Sequence, residues 1–262
     1  MNILLIGNAN ENFCNKIKES KLLKRLYTAT TNPIEEFANI EYTSIENLAQ
    51  KAQALEIDIA LLFDNNLLNE NIVELFKRYR VNLISTNKKW FNLESSISIS
   101  KQLLEHYSIP TPKTIKAPIN FPILLKTEDS NTKLVVNSIE EIISKVRFLE
   151  GQKYILEELI DGEYMEQTSL WDGKNIWHDK IVQPLSEVQL ERLNIYKTKL
   201  HFLLSDEKAD FTGFFVSKLI WTKNDWYNIG FNMGLGNETI LNTNKDLLFI
   251  INSALYQKLN EI

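Results

Sequence analysis

Charged residues stand at the ends of two apolar segments that are about thirty residues apart. Residues 122–126 form an apolar run that ends on Lys126, and residues 154–158 form a β-prone run that ends on Glu157 and Glu158. The second run continues through an apolar pair into an Asp-Gly turn, so it is predicted to be a buried strand followed by a turn. A lysine at a strand end is usually a solvated tip, and paired acids often only cap a strand. The order and spacing of the two segments nevertheless favour a charged binding site.

The composition is that of an ordinary globular protein and argues against several classes of function. The chain has 262 residues, enough for two or three small domains, and a net charge of −5. Nucleic-acid partners require a basic face, so none is expected. No apolar run approaches the ~20 residues of a membrane span, and the N-terminus lacks a signal-peptide pattern, so no membrane partner is expected. The single cysteine, Cys14, cannot form an internal disulfide, which fits a cytoplasmic protein.

Glycine is scarce. The chain has 8 glycines in 262 residues, which is about 3% and under half of the usual ~7%. Enzymes that handle phosphates use glycine where the backbone must approach a phosphate closely. The count therefore argues against catalysis.

The first ninety residues alternate between apolar runs and helical spacing. Residues 1–8, 57–63 and 81–84 are predicted to be buried strands, and the apolar positions across 71–79 have the spacing of a helix. Alternating strands and helices predict a doubly wound parallel sheet. The predicted fold class is therefore α/β, with an N-terminal domain over residues 1–90.

Beyond residue 90 the pattern predicts helices and hairpins. A helix over 93–107 ends before Pro110 and Pro112, which forbid helix. Ser138 opens a later helix with a capping-box pattern, and Asp172-Gly173 is a hairpin signal. The other predicted elements are strands at 122–126, 133–136, 164–171, 174–181, 211–221 and 227–231, and helices at 187–204 and from about 245.

Three motifs occur in the order in which one enzyme family carries them. Residues 155–162 match the family's Ile-Glu-Glu-Phe-Leu-Asp-Gly, residues 212–215 match Thr-Gly-Phe-Leu, and residues 230–232 match Glu-Phe-Asn. With the lysine strand at 122–126, the chain resembles phosphoribosylamine–glycine ligase, also called glycinamide ribonucleotide synthetase, an enzyme of purine biosynthesis. In that family ATP phosphorylates the glycine carboxylate, and the amine of phosphoribosylamine displaces the phosphate.

The resemblance implies an ATP-grasp fold with an N-terminal Rossmann-like (preATP-grasp) parallel-sheet domain. Residues 1–90 would form that domain, and residues 91–262 would form the ATP-grasp region. Within it, a small flap subdomain is expected at about 113–153 and a core at about 154–262. The family's C-terminal domain is expected to be absent.

The resemblance also implies a ligand set, with ATP and Mg²⁺ as cofactors if the chain is active. The lysines would bind phosphates, the segment at 157–160 would lie at the adenine edge, and the next glutamate would lie near the ribose. Asn232 remains as a weak candidate for a metal ligand, since it offers one neutral carbonyl. The implied ATP-binding residues are Lys126, Lys133, Glu157, Glu158, Leu159, Ile160 and Glu163.

The sequence departs from the family pattern where the chemistry lies. Residues 9–13 replace a Gly-Gly-Arg-Glu-His turn, residues 129–133 replace a glycine-rich phosphate flap, and Gly230 stands at the metal-binding glutamate. One nucleotide-facing lysine is lost, although Lys101, one turn later, remains. The family's long glycine-rich segment after Lys180 is absent.

These observations leave three hypotheses open. The chain is a divergent phosphoribosylamine–glycine ligase with impaired or lost activity, or it is a non-catalytic paralogue that binds a nucleotide or a protein. The third hypothesis is an ATP-grasp ligase for another carboxylate and amine. Possible partners are a nucleotide, a second copy of the chain or another protein.

Overall fold

The computed structural model describes residues 1–32, 36–116, 120–128, 132–236 and 239–262. Within these ranges the strands form sheets of five, four and three strands. Of the predicted flap, residues 129–131 lie outside the described residues.

The first sheet is parallel, as the alternation of strands and helices predicts. Its strands lie in the order β3-β2-β1-β4-β5, so successive strands are added on one side of β1 up to β3 and on its other side from β4 onwards. Both of these strands are buried along their whole length, which is typical of a parallel sheet covered on both faces. The elements are β1 (Asn2–Ile6), α1 (Glu11–Lys18), β2 (Arg25–Ala29), β3 (Ala38–Asn39), α2 (Ile45–Ala54), β4 (Ile59–Leu62), α3 (Ile72–Arg78) and β5 (Asn82–Ile84).

The predicted single helix at 93–107 is wrong, because the chain forms two helices there. They are α4 (Lys88–Ser95) and α5 (Ile97–His106), and Ser96 separates them with an extended backbone. The Ser96 side chain caps α5 by accepting a hydrogen bond from the Ile99 amide. The Glu128 carboxylate accepts hydrogen bonds from the Ser96 hydroxyl and from Ser98, so a distant acid stabilises the break.

A three-stranded antiparallel sheet follows, with the order β7-β6-β8. Its elements are β6 (Ile123–Thr127), β7 (Lys133–Val136), α6 (Ile139–Phe148) and β8 (Tyr154–Glu158). The strands predicted at 122–126 and 133–136 are confirmed, and they pair with each other. The predicted burial of β8 is wrong, because Glu157 is its only buried residue. Ser138 caps α6 as predicted, but the Glu141 carboxylate accepts from the Asn137 amide rather than closing the capping box on Ser138.

The four-stranded antiparallel sheet has the order β10-β9-β11-β12. The hairpin predicted at Asp172-Gly173 is confirmed, and the Asp172 carboxylate accepts hydrogen bonds from the amides of Lys174 and Asn175. The elements are β9 (Glu163–Trp171), β10 (Ile176–His178), α7 (Glu187–Asp206), β11 (Gly213–Trp221), β12 (Trp226–Asn232) and α8 (Leu247–Leu255).

The first and the four-stranded sheets meet closely. The Ser85 amide, after β5, donates to the Thr212 carbonyl at 2.9 Å, and a Cβ on Gly213 would lie 2.6 Å from the Ser85 carbonyl carbon. Only glycine allows this approach. Helix α8 also packs its apolar residues into the core beneath the first sheet. No helix within the described ranges is long and apolar enough to cross a membrane.

Candidate functional site

Three charged side chains meet in the interior, between α5 and the three-stranded sheet. Lys126 on β6 and Glu157 on β8 occupy diagonal positions on one face of the antiparallel pair. Glu157 Oε2 lies 2.6 Å from Lys126 Nζ, and Glu157 Oε1 lies 2.9 Å from Lys101 Nζ on α5. Lys101, Lys126 and Glu157 expose only 7, 4 and 2% of their surface. This charged triad, as we call the three residues, is therefore an interior feature and not a set of solvated strand ends.

The charged triad carries one positive charge in excess, because one carboxylate serves two ammonium groups. Charged side chains are almost never fully buried without partners, since the loss of hydration is costly. Backbone carbonyls share the excess: Lys101 donates to Pro112, and Lys126 Nζ lies 3.5 Å from the Ile229 oxygen. An anion beside the triad would balance the remaining charge.

A cavity of about 180 Å³ lies beside the charged triad. Lys133 and Lys218 also line it, and neither comes within 4.0 Å of a carboxylate in the part of the chain that the structure describes. Partial burial, together with the positive charges of Lys126 and Lys218, lowers the pKa of Lys133. Burial raises the pKa of Glu94, the second carboxylate of the cavity, although the Met233 amide donates to it at 2.6 Å. Positive charge therefore predominates here.

A β-bulge shapes the cavity wall opposite the triad. The pairing of β11 with β12 shifts after Lys218, so Lys218 faces Gly230 and Ile229 is the extra residue. The Ile229 carbonyl consequently points towards Lys126. Gly230 has φ +153°, and a Cβ there would meet no atom within 4 Å. The wall is thus open beside Gly230 and carries an ammonium group on the neighbouring strand.

A second cavity of about 310 Å³ lies at the carboxyl ends of β1 and β4. Parallel α/β sheets bind ligands at this place, where the strand order reverses. Its polar lining includes Asn8, Thr30, Tyr42 and Asp64, and no lysine or arginine is among the described residues that line it. We call it the strand-end crevice. Residues 9–13, which replace the family's Gly-Gly-Arg-Glu-His turn, directly follow Asn8 of this crevice. The described lining offers a phosphate no cation.

A hydrogen bond joins two residues that lie next to the two cavities. Asn65, next to Asp64 of the crevice, donates from Nδ2 to the Met233 carbonyl at 2.8 Å. Met233 directly follows Asn232, which lines the first cavity. Gly234 fits against the Asn65 side chain, since a Cβ there would lie 2.9 Å from Oδ1.

Curated proteins resemble the chain along its whole length. No protein-family model matches the chain. Phosphoribosylamine–glycine ligase of Clostridium acetobutylicum is 24% identical over 321 residues, covering the whole chain and 76% of that enzyme. The ligase of Fusobacterium nucleatum is 22% identical, covering the whole chain and 75% of that enzyme. The predicted resemblance is confirmed.

Solved structures show the architecture. The crystal structure of phosphoribosylamine–glycine ligase from Thermotoga maritima superposes with a TM-score of 0.77 at 15% identity, covering 98% of this chain and 76% of the other. D-alanine–D-alanine ligase from Bacillus anthracis gives 0.64 at 16% identity, covering 100% of this chain and 99% of the other.

The chain has the ATP-grasp fold. A further structure of this kind, the biotin carboxylase domain of Hydrogenobacter thermophilus 2-oxoglutarate carboxylase, was solved with MgADP. It matches with a TM-score of 0.67 at 16% identity, covering 90% of this chain and 64% of the other.

The structure gathers some of the predicted ATP-grasp site residues and separates others. Lys126, Lys133, Glu157 and Asn232 all line the first cavity. The motif spacing did not reveal Lys218 or Glu94, which line the same cavity. Lys218 lies within the predicted strand at 211–221, so its charge in a mostly apolar strand was the only available signal.

The remaining predicted residues do not line this cavity. Glu158 binds the preceding segment, since its carboxylate accepts from the Lys113 amide at 2.8 Å and its own amide donates to the Lys113 carbonyl. Leu159 and Ile160 follow the end of β8 as irregular chain. Glu163 begins β9 and accepts from Gln189 Nε2 at 2.9 Å.

The described residues do not fit the Mg²⁺ that the ATP-grasp fold implies. Mg²⁺ requires hard oxygen ligands in an octahedron. At the implied place Gly230 has no side chain, Asn232 offers one neutral oxygen, and the facing residue is Lys218. No group of three or more His, Cys, Asp or Glu in the described ranges could hold a metal ion.

Proposed function

We propose that this ATP-grasp chain binds the phosphate groups of a nucleotide beside the charged triad and has lost the ligase activity of its relatives. The buried Lys101–Glu157–Lys126 arrangement carries the proposal. It fixes two ammonium groups at the edge of a cavity, which is costly unless a ligand uses them. A cavity of about 180 Å³ is below the ~300–1,000 Å³ usual for small-molecule sites. It suits the phosphate groups, with the rest of the nucleotide along the open edge.

The other predicted contacts of the nucleotide follow from this placement. The adenine would meet the backbone of Leu159 and Ile160, because the Glu158 amide is already bonded to Lys113. The ribose would lie towards Glu163, which Gln189 orients.

Loss of phosphoribosylamine–glycine ligase activity is supported at the strand-end crevice. A sugar phosphate needs cations or clustered backbone amides. The described lining of the crevice has no lysine or arginine, and it includes the Asp64 carboxylate. A carboxylate repels a phosphate at short range.

Nucleotide binding can be tested by isothermal titration calorimetry with ATP and ADP. Lys126→Met should weaken binding by about 1.5–3 kcal/mol, the scale of a hydrogen bond to a charged group. Lys133→Met, at the cavity mouth, should weaken it in the same direction. Lys145→Met is the matched control, because Lys145 interacts with Glu141 and the Val135 carbonyl on the flap instead. Unchanged affinity in folded Lys126→Met and Lys133→Met, or no binding by the native chain, would contradict the proposal.

A second candidate is an ATP-grasp ligase for substrates that carry no phosphate. The observation that favours it is the strand-end crevice, which has a neutral and acidic lining and lies next to Asn65, the residue hydrogen-bonded to Met233 near the first cavity. The chain would then release ADP from ATP only when a suitable unphosphorylated carboxylate and amine are both present. A panel of such pairs, measured by ADP release, tests this candidate.

A further inference from the structure

The first cavity holds more positive charge than the described carboxylates can balance. Four lysines line it, Lys101, Lys126, Lys133 and Lys218, against Glu94 and Glu157. Glu157 already serves two of the lysines. Glu94 is partly buried and accepts from the Met233 amide; it interacts with the charge of Lys218 without forming a close ion pair, so it balances that charge only in part. Lys133 and Lys218 are left facing the cavity as cations.

Lys218 stands where the wall is otherwise bare. It faces Gly230 across the β11–β12 pair. The adjacent β-bulge leaves Ile229, the residue before Gly230, without a partner in the register. Gly230 provides no side chain, and Asn232, two residues later on the same strand, provides a neutral amide. An ammonium group repels a divalent cation and one neutral amide oxygen binds it only weakly, whereas both groups can donate hydrogen bonds to an anion.

We propose that this cavity binds a diphosphate group without a divalent metal ion, and that Lys218 contributes the positive charge in place of the metal. The inference rests on the proposed function and deepens it, since it concerns the form in which the nucleotide binds. A lysine ammonium is a single charge with rotatable donors, so it can follow a phosphate oxygen without the strict geometry of Mg²⁺.

The electrostatic consequence is the opposite of that expected for a metal-dependent site. Mg²⁺ bound to ADP neutralises part of the diphosphate charge and brings a divalent cation towards the four lysines of the cavity. Metal-free ADP retains its full charge and meets only the lysines. Excess Mg²⁺ should therefore weaken ADP binding instead of strengthening it.

The test is a calorimetric titration of the full chain with ADP, and separately with inorganic pyrophosphate, in EDTA and in excess MgCl₂. NaCl keeps the ionic strength equal, because lysine–phosphate attraction is screened by salt. We expect the dissociation constant for ADP to be about tenfold lower in EDTA than in MgCl₂, because metal-free ADP presents its full charge to the lysines. Pyrophosphate should show the same preference.

Variants of one hairpin assign the effect to Lys218. Lys218→Met should raise the dissociation constant for ADP in EDTA about tenfold, which matches the loss of one charge-assisted hydrogen bond. Lys218→Gln provides a second variant if the first is unstable. Lys223→Met is the matched control, because Lys223 is exposed in the turn of the same hairpin and does not line the cavity.

The outcomes separate this inference from the proposed function. ADP binding in MgCl₂ that is as tight as in EDTA or tighter, or unchanged binding by both Lys218 variants, would overturn the inference and leave nucleotide binding intact. Failure of ADP and pyrophosphate to bind in either buffer would overturn both.

Discussion

Glu157 binds two lysines that come from different elements. Lys101 belongs to α5 and Lys126 to β6, while Glu157 belongs to β8, so one carboxylate joins three parts of the chain. A buried ion pair adds little net stability compared with apolar residues, but it is costly to break. The three positions are therefore expected to depend on each other.

Replacement of Glu157 tests this dependence. Glu157→Gln leaves two buried ammonium groups without a counter-charge, so the free energy of unfolding should fall by about 3–5 kcal/mol. Urea denaturation followed by circular dichroism measures the change. Glu36→Gln is the control, because Glu36 is 62% exposed in its pair with Lys18 and should cost less than about 1 kcal/mol. Equal effects of the two substitutions would contradict the structural role of Glu157.

His178 should make stability depend on pH. It is largely buried, its Nδ1 lies 2.8 Å from the Ser169 hydroxyl, and burial with the nearby charges of Lys197 and His201 lowers its pKa to about 3. Between about pH 6.5 and pH 3, His178 is protonated in the unfolded chain but remains neutral in the folded chain. The contribution of His178 to the free energy of unfolding is therefore complete above pH 6.5. It is lost as pH falls, by up to about 1.4 kcal/mol per pH unit.

The His178 effect can be isolated by difference. His178→Gln should flatten the dependence of unfolding free energy on pH between about 6.5 and 3, relative to the native chain. His106→Gln is the matched control, since His106 is exposed at the end of α5. An identical slope for the native chain and His178→Gln would contradict the assignment.

The strand–turn–strand element at residues 154–171 was predictable in outline but not in burial. The β-prone run and the Asp-Gly turn predicted β8 and the start of β9 correctly. Burial was inverted, because the apolar residues of β8 are partly exposed while Glu157 is buried. Pattern alone could not show this, since the partners of Glu157 come from elsewhere in the chain. The break at Ser96 was missed for the same reason, because Glu128, the residue after β6, stabilises it from elsewhere in the chain.

Gly162 in this element should tolerate no side chain. A Cβ there would lie 1.9 Å from the Trp221 carbonyl oxygen, so β9 and β11 must separate if a methyl group is added. Gly162→Ala should lower the unfolding free energy by about 1–3 kcal/mol or more. Gly236→Ala is the control, because its Cβ would meet Thr239 at an ordinary 3.8 Å. Thermal unfolding compares them, and equal midpoints would show that the close approach does not constrain the element.

At the scale of the whole molecule, the first sheet shares its core with the C-terminal helix. Apolar residues of α8 pack in the same cluster as β1, β4 and α1. The ATP-grasp fold and the parallel sheet were predictable, because buried strands and ordered motifs are local in sequence. The packing of α8 on the first sheet was not, since it joins segments that are far apart in the chain. The boundary at residue 90 stays a prediction.

This shared core can be tested from α8. Ile251 is fully buried in the cluster, so Ile251→Ala should cost about 2–5 kcal/mol and increase hydrogen exchange at the amides of β1. Phe249→Ala is the matched control on the same helix, because Phe249 is 49% exposed. If β1 exchange is unchanged in Ile251→Ala, α8 does not contribute to the stability of the first sheet.

The most direct measurement is a ligase assay of the full chain with Mg-ATP, glycine and phosphoribosylamine. The Clostridium acetobutylicum ligase serves as the active reference. Gly230 lacks a metal-binding carboxylate, a Mg²⁺ ion at that place would meet the Lys218 ammonium group, and the described lining of the strand-end crevice offers the substrate phosphate no cation. Loss of one well-placed electrostatic group commonly costs about 10²–10³ in rate, and groups that act together do not add simply. We predict ADP release at the background rate, unchanged by phosphoribosylamine. Release of ADP that depends on both glycine and phosphoribosylamine, at a rate near that of the reference, would contradict the proposed loss of activity.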